Sequence, residues 1–282
     1  MRSRSGRTVQ HAVLAARIQR LREGAGLSRV EAAEALGAHS ATIRRIEKGE
    51  TSLNAGQVSV LLEKFGASRE EIDDFLTGLA AANVPGWWHP WRDVMDAWQL
   101  DLMSVESASS IIRTWHPTLV PELLRTPTYA RALEDVFRSD LTTETRIRRV
   151  ELLTQRQERL QEKRTRIWAL MEESALCTRV GGDAVMHEQI TALHEAALRK
   201  EITLQVHRLT DPVHALTATT GLTLYRVDVA EIPDHVVRDS AVGLPDIWDD
   251  QKTVTAYRTL MDKAAAAAPH PSAPLPTTCI DH

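Results

Sequence analysis

The sequence predicts a multidomain fold: an all-helical head, a helical segment after it, and a small α/β domain toward the C-terminus. Three observations predict it. In the first 82 residues apolar side chains recur at helical spacing, punctuated by glycines and by Ser-x-x-Glu starts. From residue 167 onward short strand-like runs alternate with helical ones. Between the two, Pro85-Gly86 breaks the chain and four tryptophans follow at once. A length of 282 residues suits two domains at roughly 100–200 residues each.

In the head, the first helix is expected over 9–23, with Val13, Leu14, Ile18 and Leu21 on one face, broken by Gly24 and Gly26. Ser28 reads as an N-cap and Glu31 completes a capping box; this helix runs to Leu36 and stops at Gly37. Ser40 is expected to cap a third helix, carrying Ile43 and Ile46 and ending at Gly49. A fourth, 54–65, presents Val58, Leu61, Leu62 and Phe65, and Ser68 with Glu71 caps a fifth that reaches Ala82. A basic arm (1–8) precedes this head (9–82), and a Trp-rich connector (83–100) follows it.

The second domain is expected over 101–268. Residues 100–165 read as helical in two or three pieces broken around Pro117–Pro127, with a long Arg- and Glu-rich stretch at 143–166. Ile167–Met171, Thr203–Leu209, Leu222–Val229 and His235–Val242 read as strands, and 183–200 and 249–268 as helices. The tail from 269 is Pro-rich and expected to be disordered.

Composition sets the class. With 43% hydrophobic and 26% charged residues the chain can fill a core and is neither collagenous nor disordered. It lacks an apolar run long enough for a membrane span. The basic N-terminus is not followed by a signal-peptide apolar stretch, so a cytoplasmic, nucleoid-associated location is expected. Two cysteines, Cys177 and Cys279, do not suggest a structural disulfide.

Charge is unevenly placed. Residues 1–50 hold ten Lys/Arg and five acids, a net of +5, so the rest of a chain of net charge −4 must carry −9. A basic head on an acidic body is the asymmetry of a protein that meets a polyanion with one end.

The strongest motif is LSRVEAAEALGAHSATIRRIEKGE, residues 27–50. Two short helices meet at Gly37, Ala33 is small where they approach, and Leu36, Ile43 and Ile46 are apolar where they face a common core. Such a unit presents one helix to a major groove while the preceding helix crosses the phosphates. The segment resembles the XRE-type, lambda-repressor-like helix-turn-helix domain, and the likeness extends over 14–80. The resemblance implies that Ser40, Ala41 and Arg45 stand where that family touches base edges, with Thr42 and Arg44 flanking them. Arg29 replaces the usual Gln at the start of the second helix and can meet a phosphate, as can Lys48. Glu47 is expected to pair with a neighbouring helix or an arginine. An Arg fork on guanine O6 and N7 discriminates by ~1–3 kcal/mol, and each neutralised phosphate adds about 0.9 to the log–log salt slope. The resemblance also implies a homodimer on paired half-sites of double-stranded operator DNA, roughly 34 Å apart.

The body carries the phrase Val120-Pro121-Glu122-Leu123-Leu124-Arg125-Thr126-Pro127, then Arg156-Gln157-Glu158, Val180-Gly181-Gly182 and Leu204-Gln205-Val206. These resemble the domain of unknown role that follows XRE heads in actinomycete WhiJ-like regulators, over about 100–262. Glu122 and Arg125 stand where that group commonly has Gly and Gln. The resemblance implies a role in development or antibiotic production beside a small partner protein.

Trp87, Trp88, Trp91 and Trp98 read as packing at the domain boundary or as the lining of a ligand pocket for a small-molecule effector. The arginines of 143–166 alternate with Glu144, Glu151, Glu158 and Glu162, which reads as a salt-bridged solvent face. His187, Glu188 and His194 lack the spacing of a zinc site, and Walker A, Gly-x-Ser-x-Gly and dinucleotide fingerprints are missing. The expectation is a DNA-binding regulator without cofactor, metal or enzymatic activity, whose body dimerises and senses a ligand or partner. An antitoxin-like partner-binding module with an autoregulatory head is the alternative, and a DNA-tethered enzyme the third reading.

Overall fold

The computed structural model describes residues 8–51, 54–240 and 244–276. The chain divides into two compact units. One is made of Met1–Arg92, Ala97–Val105 and Val229–Ile232, the other of Asp93–Asp96, Glu106–Asp228 and Pro233–His282. The arm read at 1–8 lies outside the described residues except for Thr8, which is buried and caps the first helix.

The first unit is helical: α1 (Val9–Gly24), α2 (Arg29–Ala35), α3 (Ser40–Glu47), α4 (Ala55–Lys64) and α5 (Arg69–Ala82). Ser28 with Glu31 and Ser68 with Glu71 form capping boxes as expected, each serine hydroxyl accepting from the N3 amide. The cap of α3 is a correction. His39, not Ser40, is its N-cap and makes no side-chain capping bond, so Ser40 is the first helical residue. Ile18, Ile43, Leu61, Leu62 and Phe75 are fully buried at the centre of this unit. At about 1.5–3 kcal/mol for each large apolar side chain taken from water, this cluster holds the five helices together.

The unit also takes in chain beyond the 9–82 segment read from the sequence. The Val9 amide donates to Ser104 Oγ of α6 (Ala97–Ala108) at 2.6 Å, and Arg20 pairs with Glu231. Trp87, Trp88, Trp91 and Trp98 all lie in this unit.

The second unit is built on a six-stranded sheet of order β3-β2-β1-β4-β5-β6. Its strands are β1 (Ile111–His116), β2 (Arg166–Glu172), β3 (Ile202–His207), β4 (Leu222–Arg226), β5 (His235–Arg238) and β6 (Asp246–Trp248). The first three are mutually parallel and the last three are added antiparallel. Parallel neighbours need crossover connections: α7 (Pro127–Phe137) and α8 (Thr143–Glu162) link β1 to β2, and α9 (Ser174–Cys177) and α10 (Asp183–Leu198) link β2 to β3. A final helix, α11 (Gln251–Ala267), follows β6.

Several expectations are corrected here. Residues 111–116 are the central strand β1, not helix. Its buried Ile112, Thr114, Trp115 and His116 give no clean alternation, because a central strand covered on both faces loses its polar side. Strand β6, which the sequence pattern does not predict, has three residues and, among the described residues, pairs with β5 alone. The strand expected to Val242 ends at Arg238, and 241–243 lie outside the described residues.

The tail is not disordered over 269–276. Leu275 packs on the core beneath β2 and β3, and the Pro269 carbonyl accepts from Gln205 Nε2 at 2.9 Å. Cys177 is disulfide-bonded, which corrects the expectation of no structural disulfide. Several arginines of α8 find carboxylates outside that helix. Arg146 meets Asp135, Arg148 meets Asp93, Arg149 meets Glu134, and Arg156 meets Glu106 and Glu122. Carboxylates delivered by other elements add to the weak pairs available along one helix.

Candidate nucleic-acid interface

The helix-turn-helix is made by α2, the turn and α3. The α2 backbone ends on carbonyls that need partners: the Gly37 amide donates to Glu34 O (3.1 Å) and the Ala38 amide to Ala33 O (3.0 Å). Gly37 sits at φ +59°, the left-handed conformation this closure requires. Ala32 and Ala33 are buried, and their small side chains let α2 approach α3.

On α3 the sequence splits by face. Ile43, Ile46 and Glu47 are buried, while Ser40, Ala41, Arg44 and Arg45 are exposed and Thr42 half-exposed. Lys48, the C-cap, is exposed and its amide closes on Arg44 O at 3.0 Å. The residues singled out as base readers therefore share the outward side of one helix. Two arginines within one turn give that side a positive charge that buried isoleucines hold in place.

The inward side holds the pairing expected of Glu47, and the structure names its partners. Glu47 has 1% of its side chain exposed and accepts from two arginines on different helices. Arg22 of α1 donates through Nε at 2.5 Å and Nη2 at 3.4 Å, and Arg29 of α2 through Nε at 2.7 Å. Arg22 also donates from Nη1 to Leu27 O at 2.7 Å. Its guanidinium is held above the ordinary arginine range, first by the hydrogen bond to Glu47 and against the desolvation that opposes it. Arg29 thus has a structural partner, and with 44% of its side chain exposed it also stands at the surface where α2 begins.

The tryptophans are placed differently from one another. Trp88 is buried, whereas Trp87, Trp91 and Trp98 are half-buried. Trp87 and Trp88 meet edge to face at 6.0 Å. The Trp88 ring lies on Gly86 so closely that a Cβ there would sit 2.4 Å from it, which explains the glycine. The indole nitrogens of Trp88 and Trp98 are buried without a hydrogen-bond partner among the described residues. His187, Glu188 and His194 are exposed on α10, and no metal-holding group of three or more such side chains occurs among the described residues. Among those residues no helix is long and apolar enough to cross a membrane.

Two family models match the chain. One, described as a helix-turn-helix domain, matches residues 13–75, which hold the α2–α3 motif. The other, described as a domain of unknown function (DUF5753), matches residues 99–274. No curated protein and no solved structure matches.

Proposed function

Because the chain belongs to the DUF5753 family and carries a helix-turn-helix domain ahead of that domain, we propose that it is a sequence-specific DNA-binding transcriptional regulator of the XRE kind. The observation that carries the reading is the outward face of α3. Ser40, Ala41, Arg44 and Arg45 are exposed together, on a helix whose opposite side is locked into the core by Ile43, Ile46 and Glu47. A rigid helix edge with guanidinium forks can read bases in the wide groove. Lys48, and Arg29 at the start of α2, supply phosphate contacts that set register.

In this reading the chain acts as a homodimer on paired half-sites. Its second unit dimerises and senses a small ligand or partner protein, in the setting of development or secondary metabolism, and performs no enzymatic step. The test is footprinting on the DNA upstream of its own gene, then gel-shift titration of the protected site. The double variant Arg44→Ala, Arg45→Ala is expected to lose specific binding while its circular dichroism and sedimentation stay unchanged. Retained operator affinity at the same salt concentration overturns the assignment. A monomer at micromolar concentration in sedimentation equilibrium overturns the dimer.

A further inference from the structure

Side chains alternate along β3, so Leu204 and Val206 enter the core under α10 while Gln205 and His207 face α11. A helix ends on carbonyls that look outside it for donors, and these two side chains donate to the last turn of α11. Gln205 Nε2 reaches Ala265 O at 3.0 Å, and His207 Nε2 reaches Ala264 O at 3.0 Å. His207 is 1% exposed. Its ring lies flat on that of His214, from the loop 208–221 that joins β3 to β4, with centroids 3.8 Å apart and planes 11° apart. Trp115 of β1, fully buried, meets the two rings edge to face at 6.3 Å and 4.8 Å.

We propose that this stacked pair is an acid-released latch: a proton taken up at His207 Nδ1 frees the end of α11 and the loop 208–221 from the sheet.

The hydrogen bonds fix which nitrogens carry hydrogen. A carbonyl only accepts, so His207 Nε2 holds the hydrogen and Nδ1 is a bare lone pair. That Nδ1 is buried and has no partner among the described residues. On His214, Nδ1 accepts from the Leu216 amide at 3.2 Å and Nε2 donates to Glu172 Oε1 at 2.9 Å. Both nitrogens of His214 are engaged, which leaves His207 Nδ1 as the position of the pair open to a proton.

A proton there meets no acceptor. The charged groups around His207 are Glu172 and Glu173 at the end of β2, Arg208, Asp211 and His214 on the loop, and Asp262 and Lys263 on α11. Their carboxylates are already engaged: Glu172 by His214, Glu173 by the Leu209 amide at 2.9 Å, Asp211 by the Arg208 amide at 2.8 Å, and Asp262 by Arg113 at 2.5 Å. Burial, with His214 adding to it, lowers the His207 imidazole, against the opposing pull of the Ala264 carbonyl, Glu172 and Asp211. An imidazole in water takes its proton near pH 6.5. The open form therefore binds a proton that the closed form refuses, and below about pH 6.5 each pH unit favours opening by up to tenfold. The imidazolium reaches water only by leaving the stack and Ala264 O, and with that bond the end of α11 is let go.

The test is amide hydrogen exchange on the full chain between pH 6.5 and 5, normalised to the intrinsic exchange rate at each pH, together with nitrogen-15 spectra of the histidine rings. Protection over 208–221 and 264–268 is expected to fall by up to tenfold per pH unit, ahead of any fall in β4 and β5. The neutral His207 ring should carry its hydrogen on Nε2. His207→Gln keeps a donor for Ala264 O and removes the titrating ring, so this dependence should vanish; His116 is unaltered in the variant, so acid sensitivity arising there stays. Wild-type protection that does not change with pH overturns the latch. So does the same dependence in His207→Gln, a neutral His207 with its hydrogen on Nδ1, or a His207 that takes up its proton while 264–268 stays protected. Should His207→Gln fail to fold, the wild-type exchange and ring spectra decide alone.

Discussion

Arg22 of α1 and Glu47 of α3 are joined through two hydrogen bonds, 2.5 Å and 3.4 Å long, and the Glu47 side chain is 99% removed from solvent. Arg29 adds a third bond from α2 at 2.7 Å. One carboxylate thereby ties together the three helices that fix the pose of the recognition helix. Burying such a charge is unfavourable unless all its oxygens are satisfied, and here both are.

Removing Glu47 should therefore cost more than removing an exposed ion pair. Glu47→Ala leaves Arg22 buried without its main partner, and a loss of about 3 kcal/mol is expected in urea unfolding of the first unit. Operator binding should fall with it, although Glu47 touches no base. A loss below 0.5 kcal/mol shows that the pair contributes no more than a surface contact.

At Gly37 the space test is simple. A Cβ would meet nothing within 4 Å, so only the φ of +59° opposes a side chain. Gly37→Ala is expected to destabilise the α2–α3 turn by about 1 kcal/mol. Faster amide exchange over Ala33–Thr42 reports it, and unchanged exchange there contradicts the assigned strain.

Lys48 is exposed at the end of α3. Lys48→Ala should weaken binding to specific and random duplexes by similar factors and lower the log–log salt slope by about 0.9. Arg45→Ala should instead lower the preference for operator over random DNA. If the two variants give the same pattern, positioning and reading are not divided in this way.

Acid should destabilise the second unit through His116. Burial, with Arg125 adding to it and Glu122 opposing, lowers this imidazole to about 3. Between pH 6.5 and 3 the unfolded chain then binds the proton and the folded one does not. Stability present above pH 6.5 is lost as the pH falls, at about 1.4 kcal/mol per pH unit for this group. Burial and His214 lower His207 as well, with the same sign. His116→Gln should flatten the slope of urea stability against pH by one proton between pH 6 and 4; an unaltered slope refutes the assignment.

Much of the head was legible because its information is local. Capping serines, Gly37 and the 3.6-residue apolar period act within one or two turns, and they placed α2, α4 and α5 closely. Exposure of Ser40, Ala41, Arg44 and Arg45 follows from the same period once Ile43 and Ile46 are assigned inward. The body was less legible. Its strands β2, β3 and β4 show as short runs, but the pattern at β1 predicts helix, since a strand covered on both faces carries no two-residue alternation. The packed tail is not legible in the sequence because its proline content describes a free chain, and Leu275 gains its order from the core it meets.

The sequence by itself determined which helices form, where they stop, and which side of α3 is turned outward, because capping, glycine conformation and apolar period are properties of neighbours along the chain. Only the tertiary structure decided the partners of charge. It brought Arg22 and Arg29 onto Glu47, and Arg156 between Glu106 and Glu122. It also set His116 against Asp239 across a glycine 105 residues from the histidine. An unscreened pair requires proximity and loss of water together, and no spacing in the sequence encodes that meeting until the sheet has ordered its strands.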